Sequence, residues 1–181
     1  GATAIPVGVL DNSQAIRLLA SHLGPDRASA EPEAVATLVK HCAGLPLALG
    51  ILAARAKARP DVPLTALARE VQDDSARLDA LDTGDLPTNL RATFTTSVRA
   101  LNTGAADLYG LMGLAPTQDL GVTAAAALAN TTTAHARRAL KELEETHLAH
   151  QRVPGRYQMH DLIRLHAREL PGDMGVTALN R

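Results

Sequence analysis

The chain has 181 residues, of which 46% are hydrophobic, 2% are aromatic and one is a cysteine. Its formal net charge of −1 argues against a global electrostatic attraction to nucleic acid or to anionic membranes. One cysteine excludes an intrachain disulfide and a cysteine-based metal cluster. No apolar run reaches the length of a membrane span, and no signal-peptide pattern is present. We therefore expect a cytoplasmic protein, whose aliphatic, Ala-rich core favours close-packed helices.

The first part of the chain predicts four short helices within residues 1–72, after a short extended segment at residues 5–7. Asp11 and Gln14 form the pattern of a capping box before the first helix. Pro32, Pro46 and Pro63 stand at first-turn positions of the other three, where the missing N–H of proline is not needed. We expect a mainly α fold that begins with a four-helix bundle domain over residues 1–72.

The corner between the second and third predicted helices is the most informative stretch of this domain. A helix that ends at Cys42 is expected to stop on Gly44, because glycine tolerates left-handed backbone. Pro46 then begins a helix that is apolar nearly all round, and such a helix is surrounded by others. The proline ring and the first-turn N–H groups could face a ligand, or they could form only a corner.

A change in composition marks the predicted domain boundary. Residues 73–87 are rich in aspartate and contain a single arginine, Arg77. Leu78 and Leu81 give this segment some apolar character. We interpret residues 73–87 as an acidic, partly docked connector.

The second domain is predicted over residues 88–175, with a tail over residues 176–181. Its pattern is two helices, a short helix, a turn, a further helix, and then two extended runs around Pro154 and Gly155 that predict a short β-hairpin. A last helix begins near His160. This order of elements is that of a winged helix-turn-helix domain.

A winged helix suggests DNA binding, but the helix that would enter the groove is not basic overall. It carries these six charged residues: Arg137, Arg138, Lys141, Glu142, Glu144 and Glu145. Arg138 with Glu142 and Lys141 with Glu145 have the spacing of helical ion pairs. Direct DNA contact is therefore disfavoured, and it is kept as an alternative.

The sequence shows no catalytic or metal-binding pattern. A nucleophile elbow, a zinc-protease helix, a metal-ligand spacing and a Gly-rich phosphate loop are all absent from the 181 residues. Met159, His160 and Asp161 at the start of the last helix are the remaining candidates, because an imidazole at a helix N-terminus can donate to an anion. On chemistry alone an ordinary strand-to-helix junction, capped by Asp161, is the simpler interpretation.

Two separated motifs resemble those of a known family. Residues 42–49, with the sequence CAGLPLAL, resemble the GLPLAL motif of NB-ARC ATPases, which belong to the STAND class of signalling switches. Residues 157–164, with the sequence YQMHDLIR, resemble their MHD motif. The resemblance covers nearly the whole chain, and it is greatest to the bacterial SARP-type transcriptional regulators.

This resemblance implies roles for individual residues. Pro46 would pack near the adenine and ribose of a bound nucleotide, next to Gly44 and Leu45 of the same motif. His160 would hydrogen-bond the β-phosphate of ADP, with Met159 and Asp161 supporting that junction. ADP would then hold a closed off state, and exchange for ATP would permit homo-oligomerisation.

The family's P-loop, Walker B acid and sensor arginine belong to an upstream α/β domain, and none of them is present in these residues. We therefore expect a regulatory, non-catalytic fragment whose partner is the nucleotide-binding domain of the same parent chain. ADP or ATP should not bind tightly to the fragment alone. Two alternatives remain open: a winged-helix DNA-binding module, and an interaction scaffold whose acidic connector docks a basic partner.

Overall fold

The computed structural model describes residues 9–82 and 89–170, and the chain divides into two compact units between Leu90 and Arg91. The extended segment predicted at residues 5–7 and the predicted tail at residues 176–181 lie outside the described residues. No helix in the described part is long and apolar enough to cross a membrane. The described part is mainly helical, as the composition predicts, with one small antiparallel sheet.

Helices make up the regular structure that is described in the first unit. They are α1 (Asn12–Leu23), α2 (Pro25–Ala30), α3 (Pro32–Cys42), α4 (Pro46–Ala58), α5 (Leu64–Gln72) and α6 (Arg77–Ala80). The four predicted helices correspond to α1, α3, α4 and α5, whereas α2 and α6 were not predicted. Helix α4 buries residues on every side, as its composition indicates, including Leu49, Ile51 and Leu52.

Residues 73–82, which are the described part of the predicted connector, pack as part of the first unit. Leu78 and Leu81 are fully buried, and Arg77 is only 7% exposed. The guanidinium of Arg77 donates through Nε to the carbonyl of Val71 at 2.6 Å, at the C-terminus of α5. This arginine satisfies carbonyl groups at the C-terminus of α5 and forms an ion pair with Asp74. Residues 83–87 of the predicted connector lie outside the described part.

The second unit has the predicted helix order and a larger sheet than predicted. Its elements are α7 (Leu90–Arg99), α8 (Thr103–Leu114), β1 (Asp119–Gly121), α9 (Val122–Leu128), α10 (Thr133–Glu145), β2 (His150–Val153), β3 (Arg156–Gln158) and α11 (Asp161–Glu169). The predicted hairpin is β2–β3, closed by Gly155 at a φ of 78°. This arrangement is consistent with the winged helix inferred from sequence.

Strand β1 adds a third, unpredicted strand, and the sheet order is β1-β3-β2 with antiparallel pairing. Leu120 pairs with Tyr157, and both side chains are buried. Arg156 and Asp119 reinforce the edge with an ion pair of 3.0 Å between Nε and Oδ1. Because β1 has only three residues, it carries no alternation that a sequence pattern could reveal.

Candidate functional site

The corner between α3 and α4 is built from two successive left-handed residues. Ala43, not Gly44, is the C-cap of α3, with a φ of 48°, and Gly44 follows with a φ of 74°. The N–H of Leu45 then donates to the carbonyl of Cys42 at 3.0 Å. The predicted helix end at Cys42 and the left-handed backbone at Gly44 are both confirmed, whereas the additional left-handed conformation of Ala43 was not predicted.

Gly44 has a second function that the sequence did not reveal. Its carbonyl accepts a hydrogen bond of 2.8 Å from the N–H of Leu10. A Cβ atom at Gly44 would stand 2.3 Å from the carbonyl oxygen of Leu10. Glycine is thus required by backbone conformation and by contact with the chain that leads into α1.

Pro46 is exposed at the first turn of α4, and Leu45 beside it is half-buried. The N–H of Leu49 donates to the carbonyl of Leu45 at 3.2 Å, so the first turn of α4 is fully formed. An exposed proline ring on a rigid turn offers an apolar surface to a planar ring. The residues present are thus compatible with the adenine contact that the resemblance implies.

His160, rather than Asp161, caps the last helix. Its backbone is extended, with φ −64° and ψ 144°, and its Nδ1 accepts a hydrogen bond of 3.2 Å from the N–H of Leu162. A neutral imidazole whose Nδ1 accepts must carry its proton on Nε2. The half-buried ring is therefore held as an Nε2–H donor at a helix N-terminus, where backbone dipoles favour an anion.

The two neighbours of His160 have different surroundings. Met159 is 3% exposed and lines a small cavity with Met112, Leu120 and Arg164. Asp161 is exposed, and its Oδ1 lies 3.5 Å from Nε2 of Gln118. Met159 thus anchors the junction in the core of the second unit, whereas Asp161 is the first residue of α11 and not its cap.

Helix α11 is held firmly against the end of α8. Arg164 is 9% exposed and donates to the carbonyls of Ala115 and Gly113, and Arg168 donates through Nε to Gly113 at 2.9 Å. Burial lowers the pKa of Arg164, nearby Arg168 adds to that effect, and Asp161 opposes it. These two guanidinium groups satisfy the carbonyls at the C-terminus of α8 and so fix the helix that carries His160.

His166 is a buried polar residue that the sequence reasoning missed. It is 3% exposed, and its Nδ1 and Nε2 lie 2.9 Å from Oη of Tyr109 and 3.1 Å from Oγ1 of Thr95. Phe94 packs on it edge to face, with ring centroids 5.6 Å apart. Burial lowers the pKa of His166, with Glu169 opposing and Arg91 adding to that change. The sequence contains one clue to the burial of His166, which is that it lies three residues after Ile163 on the apolar stripe of α11.

One of the two ion pairs that the sequence predicts on α10 is formed, and the other is not. Lys141 and Glu145 form the expected pair, with Nζ and Oε1 3.5 Å apart. Glu142 instead accepts hydrogen bonds from Asn102, the cap of α8, including its N–H at 2.6 Å. Arg138 is therefore left without the predicted partner. Among the described residues, no group of three His, Cys, Asp or Glu side chains is placed to hold a metal ion.

Comparison with known proteins relates the chain to bacterial regulatory proteins. No protein-family model matches it. It is 38% identical over 168 residues to the regulatory protein AfsR of Streptomyces griseus. The aligned region covers 93% of this chain and 17% of that protein. It is 34% identical over 168 residues to the regulatory protein AfsR of Streptomyces coelicolor, with the same coverage.

The chain thus spans about a sixth of the length of the curated relatives it matches. The similarity extends across both units and supports the resemblance to SARP-type regulators that the two motifs indicate.

Proposed function

We propose that this chain is the regulatory, non-catalytic part of a STAND-type ATPase switch in a bacterial transcriptional regulator. The observation that carries the proposal is the cap of α11, where His160 is held as an Nε2–H donor at a helix N-terminus. The similarity to segments of two regulatory proteins supports it. The proposal includes a cytoplasmic location and homo-oligomerisation on activation.

In this proposal each motif contributes to binding ADP, which a P-loop domain of the same parent chain holds by its phosphates. His160 donates to the β-phosphate, and Pro46 offers its exposed ring to the adenine and ribose. Gly44 and Leu45 shape the turn that presents Pro46. Met159 and Asp161 support the junction from which His160 projects. ADP supplies the negative charge that His160 recognises and so holds the off state.

Most of the phosphate-binding energy is expected to come from the P-loop domain. Isothermal titration of the 181-residue chain with ADP should therefore show no binding tighter than about 1 mM, which corresponds to about −4 kcal/mol. Micromolar binding by the chain alone would show that it holds a complete nucleotide site, and the fragment interpretation would then be wrong.

The role of His160 is tested in the longer parent protein. The variant His160→Ala should weaken ADP retention about 10- to 100-fold, since a hydrogen bond to a charged group contributes about 1.5–3 kcal/mol. It should also raise basal activity. His150→Ala, at an exposed histidine of β2, is the matched control and should leave ADP retention unchanged. Equal ADP retention in the His160 variant and the parent would refute the switch role.

A winged-helix DNA-binding module is the second candidate function. It is favoured by the exposed Arg137 and Arg138 of α10. A mobility shift with duplex DNA should then weaken as the salt concentration rises. Arg137→Gln should reduce the slope of log K against log salt concentration by about 1. Arg17→Gln, at an exposed position of α1, is the control. Absence of a shift at low salt would remove this candidate.

A further inference from the structure

A cavity of about 610 Å³ lies between α8, α10 and the turn before α10. Its volume is within the range of about 300–1,000 Å³ that is typical of small-molecule sites. Leu108, Leu111, Ala136 and Ala139 form an apolar lining, and none of them belongs to the two motifs discussed above. This cavity is therefore independent of the proposed nucleotide contacts.

Two opposite charges also line this cavity, and both lack partners. Asp107 on α8 is half-buried, and Arg138 on α10 is exposed. Within residues 9–82 and 89–170, neither side chain makes a hydrogen bond or an ion pair, with the other or with any third group. Both charged groups are accessible from solvent, since no buried side-chain nitrogen or oxygen atom of the described residues lacks a hydrogen-bond partner, and a ligand in the cavity can therefore reach them.

Two other polar side chains of the lining are already engaged. The side chain of Asn102 accepts from the N–H of Ala105 at 3.0 Å and donates to Glu142. Nδ1 of His135 lies 2.7 Å from Oγ1 of Thr132. Asp107 and Arg138 are consequently the two charged groups of this lining that remain available to a ligand.

We propose that the cavity binds a small apolar zwitterion. Its ammonium group pairs with Asp107, its carboxylate pairs with Arg138, and its apolar body covers the leucine and alanine lining. Asp107 and Arg138 lie on different helices and form no ion pair with each other, so the ligand has to span the gap between the two charges. A dipeptide with free ends fits this requirement, since each extended residue spans about 3.3–3.6 Å.

Leucyl-leucine is the probe, compared with its N-acetylated and its C-amidated forms. Each is titrated into the 181-residue chain and followed by amide chemical shifts. The free dipeptide should shift residues of the α8 and α10 lining, and each blocked form should bind at least tenfold more weakly. Asp107→Asn should weaken binding of the free dipeptide at least tenfold. It should leave the already weak binding of the N-acetylated form unaffected. Arg138→Gln should likewise weaken binding of the free dipeptide at least tenfold, and it should leave the already weak binding of the C-amidated form unaffected.

Asp61→Asn and Arg137→Gln are the matched controls, because both residues are exposed and neither lines the cavity. Circular dichroism and thermal melting establish that each variant is folded. Three outcomes would overturn the proposal: no binding of leucyl-leucine at about 10 mM, equal binding of the free and blocked forms, or equal loss in the control variants. The proposal is supported if the chain binds the free dipeptide and if only the two cavity variants lose this binding.

Discussion

His166 and Tyr109 are joined in the core of the second unit by a hydrogen bond of 2.9 Å between Nδ1 and Oη. The hydroxyl of Tyr109 donates to the carbonyl of Ile163 at 3.1 Å, so it accepts from Nδ1–H of His166. Nε2 of His166 is then left to accept from the hydroxyl of Thr95. Every group in this network is satisfied when the imidazole is neutral.

The stability of the second unit should consequently depend on the protonation of His166. Burial lowers its pKa below the ordinary value of 6.5, so the unfolded chain binds more protons at mildly acidic pH. The stabilisation is fully present above pH 6.5 and is lost as the pH falls from there toward the folded pKa. Urea unfolding between pH 8 and pH 5 measures this loss.

The variant His166→Gln should remove this pH-dependent component, while His150→Gln, on the exposed β2 strand, should keep it. An identical pH profile for the His166 variant and the parent chain would show that other groups control the acid response.

Gly44 and Gly50 should respond in opposite directions to alanine. Gly44→Ala places a Cβ at 2.3 Å from the carbonyl oxygen of Leu10 and forces a φ of 74° on an L-residue, so we expect a loss of at least about 1–2 kcal/mol. Gly50 is helical with nothing near its Cβ position, and its alanine variant should be about 0.5–1 kcal/mol more stable. Denaturant unfolding compares them, and an unchanged midpoint for Gly44→Ala would contradict the close contact.

Glu31 caps a helix far from it in sequence. Pro63 at the N-cap of α5 has no side-chain acceptor, and the carboxylate of Glu31 accepts instead from the N–H groups of Leu64 and Thr65 at 2.8 and 3.0 Å. The hydrogen bond from the hydroxyl of Thr65, together with these two backbone N–H groups, lowers the pKa of Glu31 below its usual range. The stabilisation is thus present above about pH 4.5 and is lost as the pH falls through the folded pKa.

Glu31→Gln should cost about 1 kcal/mol at neutral pH, which is the typical value of a helix cap. Glu33→Gln, at an exposed residue of α3, should change the free energy of unfolding very little. Equal effects of the two substitutions in urea titrations would show that the cap contributes nothing.

The sequence predicted elements whose ends carry local chemistry. The capping box of α1 is present, with Gln14 N and Asp11 Oδ1 2.8 Å apart, and prolines begin α3 and α4 as expected. The short helix α2 depends on distant contacts. Arg27 of α2 donates through Nη1 to the carbonyl of Ala56 at 2.6 Å, and such a contact leaves no periodic trace in the sequence.

The candidate site was likewise predictable only where local sequence determines the structure. The position of His160 at a helix start was predictable from the adjacent hairpin and apolar stripe. Its function as the cap was not, because Asp161 is the commoner capping residue and only the backbone conformation distinguishes the two. The contact between Gly44 and Leu10, and that between His166 and Tyr109, join residues too distant in sequence for any local pattern to connect them.

The close packing of α11 on α8 determines how His160 can move. A Cβ at Gly113 would lie 2.6 Å from the Cβ of Ala167, so the two helices touch at their backbones, and Arg164 and Arg168 tie them together. Close-packed interfaces of this kind transmit displacements from one element to the other. We therefore expect α8 and α11 to move together, so that a displacement of α8 would also displace the imidazole of His160 at the start of α11.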